Sequence, residues 1–372
     1  MAEPFSQENV KDSILPPHQI LSPWKSKTDY SLDYSKEFLD LSNKEKESKT
    51  DYSLDCSQEF LDLSNKDLSL SDISSILRSR TYFKQLDLSG CGLTELPDGL
   101  EYSYELKEVN LSNNPLRHLF LISSLDRKLW RGLKKLDLSG CGLAFLPEGL
   151  QFCHELEELD LSNNPLRHLI LIPSLDCKLW WRGLKKLDLS GCGLTKLFGG
   201  FQFCQELDLS NNPLIHLFLI SSLDCKLWRG LKKLNLSGCG LTEVPEGLQC
   251  CHELEELNLS NNPLRYLYLS YIPHPEYKIW RRLKKLDMSD CDLVDWPNCV
   301  QEYGNLQELN LSKNSFDHQD LLEKLNSGKV FSYSSFHKIG KELLKPAASG
   351  SRYPNLTRII FEDAVYTQSS GG

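Results

Sequence analysis

Leucines and other apolar residues recur along the chain at one fixed set of spacings. The stretch that begins at Leu133 reads L-K-K-L-D-L-S-G-C-G-L, and the stretch that begins at Leu156 reads L-E-E-L-D-L-S-N-N-P-L. Apolar residues at the fourth and sixth positions alternate with polar ones, which is typical of a short β-strand with one buried face. The pattern L-x-x-L-x-L-x-x-(C/N)-x-L fits ten starting points: Phe83, Leu106, Leu133, Leu156, Leu184, Cys204, Leu231, Leu254, Leu283 and Leu306. One such unit is too short to bury its own leucines, so the units are predicted to stack into a solenoid.

The ninth position of each unit carries Asn or Cys, which we expect to turn inward and meet backbone groups that water cannot reach. Cysteine holds this position in alternate units, at Cys91, Cys141, Cys192, Cys239 and Cys291. Equivalent atoms two strands apart lie roughly 10 Å from each other. A disulfide needs Cα atoms within about 7 Å. We therefore predict buried free thiols that act as small hydrophobic groups, as in a reducing compartment.

The repeated unit resembles the leucine-rich repeat family, in its repeat-only intracellular form. This resemblance covers about two-thirds of the chain and implies an α/β solenoid of the horseshoe type. It implies a parallel β-sheet on the concave face and turns or short helices on the convex face. The resemblance also implies protein–protein recognition, often as an adaptor or scaffold in intracellular signalling.

The divergent ends suggest how the chain is divided. The segment Lys27–Lys44 returns 22 residues later as Lys49–Lys66 with two changes, and only the second copy continues into Ile73 and Leu77 at helical spacing. Inside the solenoid, the unit that starts at Cys204 follows a shortened segment and is expected to be the least regular. The predicted regions are a disordered lead with one degenerate repeat fragment (1–48), an N-terminal capping repeat (49–82), the solenoid (83–316), a divergent repeat and cap (317–366) and a disordered tail (367–372).

Charged side chains dominate the exposed face of the predicted strands. Paired lysines in one unit alternate with glutamates in the next, so the face should be largely self-neutralising. The fifth position carries four consecutive aspartates, which we predict to receive a basic segment of a protein partner; the alternative is that duplication alone has kept them. A second candidate contact is a tyrosine-rich interruption of the pattern. These candidate partner-binding residues are Asp137, Asp160, Asp188, Asp208, Tyr266, Tyr268, Tyr271 and Tyr277.

Composition and motifs argue against several other functions. The net charge of −9 is the wrong sign for a nucleic-acid-binding face. The chain has neither an apolar run long enough to span a bilayer nor an N-terminal signal sequence, so we expect no membrane association and a cytoplasmic location. The recurring His118, His168 and His216 are predicted to lie roughly 10 Å apart, too far to share a metal ion. Without a catalytic motif or a cofactor-binding loop, we expect neither enzymatic activity nor a cofactor.

The sequence therefore predicts a non-enzymatic scaffold or adaptor that binds a protein through the concave face. Two alternatives remain open. The chain could be the recognition arm of a larger leucine-rich repeat enzyme, of the GTPase or phosphatase class, or a fragment of an extracellular receptor. The identity of the partner and the oligomeric state do not follow from the sequence.

Overall fold

The chain divides into two units, Met1–Asp55 and Cys56–Gly372, and every residue that can be described lies in the second. The computed structural model describes residues 59–80, 82–119, 130–166, 183–196, 204–215, 230–245, 248, 251–265, 282–294, 305–316, 358–361 and 364–367. Within these ranges, no helix combines the length and the apolar character that a membrane span requires.

The strands form one sheet in chain order, as the unit pattern predicts. The first eleven strands are β1 (Phe60–Asp62), β2 (Gln85–Asp87), β3 (Glu108–Asn110), β4 (Lys135–Asp137), β5 (Glu158–Asp160), β6 (Lys186–Asp188), β7 (Glu206–Asp208), β8 (Lys233–Asn235), β9 (Glu256–Asn258), β10 (Lys285–Asp287) and β11 (Glu308–Asn310). They are followed by β12 (Arg358–Phe361) and β13 (Ala364–Thr367). Neighbours from β1 to β12 pair in parallel, and β13 returns antiparallel to β12. The parallel solenoid is thereby confirmed, and the final hairpin is an addition that the pattern did not predict.

The register keeps the apolar positions in line from one strand to the next. Leu136 on β4 lies beside Leu159 on β5, which in turn lies beside Leu187 on β6. All three side chains are buried, as are the sixth-position leucines that follow each strand. One continuous core therefore runs the length of the stack, and each coil depends on its neighbours for burial.

Side chains at the ninth position tie each coil to the preceding one. Asn164 is 1 % exposed, and its Nδ2 donates to the carbonyl oxygens of Leu138 and Leu161 at 2.8 Å. Its Oδ1 accepts from the backbone N–H of Leu143 at 2.9 Å. The predicted inward Asn is confirmed, and a single amide satisfies backbone groups of two coils at once.

The ninth-position cysteines make the same link with one bond. The thiol of Cys192 donates to the carbonyl oxygen of Leu161, with an Sγ···O distance of 3.2 Å. All described cysteines are free, and burial raises the pKa of Cys192 to about 11 and that of Cys291 to about 12. The predicted free thiols are confirmed, but they hydrogen-bond as well as fill space. Cys91, beside the first coil, is only half-buried.

The first described coil departs from this arrangement because Lys66 takes the ninth position. Its ammonium donates to the carbonyl oxygen of Asp62 in its own coil, at 2.7 Å. Helix α1 (Leu70–Ser79) follows, with Ser69 as its N-cap and Asp72 closing a capping box. The buried face of α1 includes Ile73 and Leu77, at the spacing that predicted a helix there. Lys66 is only partly buried, whereas four of the ninth-position asparagines in the coils that follow are buried.

Short helical turns follow two of the other described strands, β2 and β4. The segments Leu100–Tyr102 and Leu150–Phe152 form 3₁₀ helices, consistent with the prediction of turns or short helices opposite the sheet. The expectation that the coil starting at Cys204 is the least regular is wrong for residues 204–215. There Cys204 is buried, β7 pairs with β6 in the common register, and Asn212 makes the standard bonds to Leu189 and Leu209. A leading cysteine fills the leucine site without disturbing the coil. The tyrosine-rich interruption and the predicted helical segment that begins at Asp317 lie outside the described residues.

From Asn65 to Asn261 the eighth position alternates between asparagine and glycine, and the two types fit each other across coils. Gly140 has a φ of +63°, in the left-handed region. A Cβ built on it would lie 2.7 Å from Oδ1 of Asn113 on the preceding coil. Gly191 meets Asn163 at 2.7 Å and Gly238 meets Asn211 at 2.6 Å in the same way. Each glycine therefore allows the left-handed backbone conformation and also leaves room for the asparagine of the preceding coil.

Replacing Gly140→Ala should lower the free energy of unfolding by about 2 kcal/mol or more, because a left-handed alanine costs about 1–2 kcal/mol before any clash. Gly92→Ala is the matched control, since Gly92 has a φ of +71° but no atom within 4 Å of its hypothetical Cβ. Urea unfolding of both variants separates the backbone cost from the clash with Asn113. Equal losses of unfolding free energy in the two variants would contradict a packing role for Gly140 against Asn113.

A buried hydroxyl offers a second test of the core. Ser103 is 0 % exposed and its Oγ has no hydrogen-bond partner among the described residues. Cys153 occupies the equivalent place in another coil, with matching backbone bonds to Leu150 and Leu156. We expect Ser103→Cys to raise the free energy of unfolding by about 1 kcal/mol, because an unsatisfied hydroxyl is costly to bury and a thiol is less so. The reciprocal Cys153→Ser should lower the free energy of unfolding by a similar amount, as measured by thermal or urea unfolding. A stabilising effect of Cys153→Ser would contradict this expectation.

Candidate protein-binding surface

The outward side chains of the sheet line two grooves that follow one another along the strands. The first has a volume of about 310 Å³ and extends from Phe60 on β1 to Asp188 on β6. The second has a volume of about 390 Å³ and extends from Lys186 on β6 to Asn310 on β11. Both are formed by the third and fifth positions of the repeated unit, because these point away from the leucine core.

Lysines and glutamates at the third position form a ladder of ion pairs. Lys135 lies between Glu108 and Glu158, with Nζ···O distances of 3.9 and 3.3 Å. Lys233 lies between Glu206 and Glu256 at 3.0 and 3.9 Å. These side chains are largely exposed, so each pair contributes at most about 1 kcal/mol. The prediction that Lys lies beside Glu on neighbouring strands is confirmed.

The fifth-position residues shape the turn that follows each strand. Oδ1 of Asp137 accepts from the backbone N–H of Ser139 at 2.9 Å, and Asp160 bonds Ser162 at the same distance. Asparagine does this equally well, since Oδ1 of Asn110 accepts from Ser112 at 3.0 Å. One oxygen of every aspartate on β4 to β7 is engaged in this way. The local turn therefore needs an oxygen acceptor but does not need a negative charge.

The second oxygen of these aspartates has two kinds of surroundings. Where asparagine occupies the next strand, its Nδ2 donates to that oxygen. Asn110 donates to Asp87 at 3.1 Å, Asn235 to Asp208 at 2.8 Å, and Asn310 to Asp287 at 2.9 Å. On β4, β5 and β6 the next strand carries aspartate instead, so Asp137, Asp160 and Asp188 receive no asparagine amide from it. Three consecutive carboxylates in the middle of the sheet thus lack the pairing seen at Asp87, Asp208 and Asp287.

Asp188 lies at the most charged point of this run. Burial raises its pKa, and the flanking carboxylates of Asp160 and Asp208 raise it further, against the lowering effect of the hydrogen bonds from Ser190. The carboxylate of Asp188 is therefore less favourable here than it would be in water. A cation bound beside Asp188 would remove this penalty.

The structure brings together four of the predicted contact residues and adds one that the sequence reasoning missed. Asp137, Asp160 and Asp188 line the first groove, and Asp208 lines the second. Phe60 lines the first groove as well and is 47 % exposed. An apolar residue at the third position of a unit was the available signal, since that position is polar on β2 to β11. The predicted contacts Tyr266, Tyr268, Tyr271 and Tyr277 lie outside the described residues.

The carboxylates and lysines of the two grooves are spread along the strands. Among the described residues, no cluster of His, Cys, Asp and Glu could hold a metal ion. The described histidines are single and solvent-facing, as at His118 and His154. What the arrangement offers is an extended polar surface with fixed spacing between its charged side chains.

The substitution Asp188→Asn should stabilise the fold at neutral pH by up to about 1 kcal/mol, because it removes one of three adjacent like charges. The new amide keeps the bond to Ser190 and can donate to Asp160, as Asn235 donates to Asp208. A carboxyl with a raised pKa contributes stability that is present at low pH and is lost as pH rises through that pKa. The advantage of the variant should therefore be largest near pH 7 and shrink in urea unfolding at acid pH.

Asp287→Asn is the control for this experiment. Oδ2 of Asp287 already accepts from Asn310, so neutralising Asp287 should give no gain. A pH-independent gain in Asp188→Asn, or an equal gain in the control, would show that repulsion among the aspartates is not the cause.

Comparison with known proteins agrees with this geometry. A leucine-rich repeat family model matches residues 132–153, 155–178 and 183–204, and a model of two repeat copies matches residues 229–271. No curated protein sequence matches the chain.

Solved structures share the fold at low sequence identity. A leucine-rich repeat protein from Leptospira interrogans is 21 % identical, with a TM-score of 0.50 over 82 % of this chain and 84 % of its own. TLR13, solved in complex with ssRNA13, is 18 % identical with a TM-score of 0.57, over 82 % of this chain and 43 % of its own. The matched repeats, the register of the sheet and these structural neighbours agree that the chain is a leucine-rich repeat protein.

Proposed function

We propose that the chain is a non-enzymatic scaffold that binds a protein partner through the face of its sheet. The observation that supports this most is the surface of β1 to β11, where charged side chains are held at fixed spacing over a continuous leucine core. Leucine-rich repeat proteins generally bind other proteins. A rigid surface of this length suits that function, because its side chains lose little freedom on binding.

The partner presents a basic segment to the face. Support comes from Asp137, Asp160 and Asp188, which lie beside other aspartates and receive no asparagine amide, and from the raised pKa of Asp188. The lysines of the face do not neutralise this run completely, because Lys135 is already shared between Glu108 and Glu158. A lysine or arginine from a partner would supply the missing donors.

A cytoplasmic signalling role is part of this proposal. The described cysteines are free, and the five at the ninth position form hydrogen bonds through protonated thiols, an arrangement suited to a reducing compartment. Oxidation of these five cysteines would remove five links between neighbouring coils.

Capture of partners from native lysate tests the proposed surface. The triple variant Asp137→Asn, Asp160→Asn and Asp188→Asn keeps the turn bonds and removes only charge. We expect it to retain partners about tenfold less well than wild type, from three ion pairs of about 0.5 kcal/mol each. Quantitative mass spectrometry of the captured proteins measures the change.

A matched variant removes three acidic charges outside both grooves, by Glu95→Gln, Glu148→Gln and Glu243→Gln. These three side chains are exposed and do not line the sheet face. This variant should retain partners as wild type does. Partners that remain on the aspartate variant, or leave both variants equally, would refute binding through the face.

A further inference from the structure

The first groove combines two features that the second lacks. One end carries Phe60, and the other end carries the aspartates of β4, β5 and β6, and a single cavity joins them. The second groove shares Asp188 with the first, but its third position is charged on every strand, and its other aspartates, Asp208 and Asp287, are each paired with an asparagine amide. The two halves of the face are therefore chemically different although they arise from one repeated unit.

Phe60 stands at a position where every other described strand of the solenoid to β11 places a polar side chain. Its register partner on β2 is Gln85, which is followed by Glu108 on β3 and Lys135 on β4. Nearly half of the ring surface is exposed, on the face of the sheet and not in the core. Aromatic side chains in this situation are enriched at binding surfaces, because a partner that covers them gains apolar burial without first disturbing the fold.

The acidic end of the groove has unused capacity for hydrogen bonds. Each of Asp137, Asp160 and Asp188 accepts a hydrogen bond from its own turn, and none of them receives an asparagine amide from the next strand as Asp208 does. The turn itself would accept asparagine, as Asn110, Asn235 and Asn258 demonstrate. The charge is thus not required by the local structure, and its complement is a cationic side chain.

The distances between Phe60 and the aspartates follow from the spacing of the strands in the sheet. Strands about 4.8 Å apart place Asp137 roughly 16 Å from Phe60 and Asp188 roughly 25 Å from it, counting the offset from the third to the fifth position. An extended peptide advances about 3.4 Å per residue, so these distances correspond to about five and about seven residues. A peptide lying across the strands can therefore reach both features without a bend.

We propose that the first groove binds an extended peptide segment of a partner protein that carries one apolar residue and, about five and about seven residues away, two basic residues. The apolar side chain packs on Phe60 and the basic side chains donate to the carboxylates of β4 to β6. This inference rests on the proposed function and specifies both the half of the face that is used and the chemistry of the segment.

Fluorescence anisotropy with a defined probe tests the inference on the full chain. The probe is a fluorescein-labelled peptide of serine and threonine with one phenylalanine and two arginines at the stated spacing. Phe60→Gln copies the residue at this position on β2, and the pair Asp137→Asn and Asp188→Asn keeps the turn bonds. We expect each change to weaken binding by about tenfold. Asp287→Asn, in the second groove, should leave the affinity unchanged.

The outcomes separate this inference from the broader proposal. Weakening by Phe60→Gln and by the double asparagine variant, with Asp287→Asn neutral, supports the first groove. If Phe60→Gln does not change the affinity, or if Asp287→Asn weakens binding as much as the double variant does, the inference is wrong and binding reflects a general charge effect. If the probe does not bind while the aspartates still govern capture from lysate, the peptide chemistry is wrong and the scaffold proposal stands. Failure in both experiments overturns both.

Discussion

The whole stack depends on one hydrogen-bonding arrangement, the link from the ninth residue of each coil to the sixth-position carbonyl of the coil before it. Ten such links follow one another from Cys91 to Asn314, with asparagine and cysteine in alternation. Leucine burial supplies the driving force for stacking but has no direction. The ninth-position links fix which backbone atoms meet, and so set the register in which the leucines pack. The sheet, the turns and the grooves all follow from that register.

The same alternation explains how far the sequence could predict the fold. Spacing of Leu136 and Leu138 identified the strand and its buried face, since a period of two is read directly from the letters. The inward Asn and the free thiols followed from position alone. The structures at the two ends of the sheet could not be predicted in this way. Lys66 donates to a carbonyl of its own coil and β13 pairs antiparallel to β12, and neither contact repeats along the chain. The repeated coils could therefore be predicted from their spacing, whereas contacts that occur only once could not.

The face required a different kind of information. The sequence pointed to Asp137, Asp160, Asp188 and Asp208 as one acidic stripe, whereas the structure divides them. Asp208 receives an amide from Asn235, and the other three do not. Phe60 was overlooked because its unit lacks the leading leucine on which the pattern was aligned. Both features concern how a side chain relates to the next strand, and this relation is set by the register and not by composition.

The fit between Asn113 and Gly140 limits how this gene can change its length. Removing or adding a single coil would bring two asparagines, or two glycines, together at the eighth position, and the side chain of one coil would no longer find the hollow left by the next. In the coils from Gly90 to Asn261, a duplication or loss of two coils, about fifty residues, keeps every asparagine beside a glycine, whereas a shift by one coil does not. For side-chain packing at this position the repeating unit is therefore the pair of coils, although the backbone repeats with every single coil.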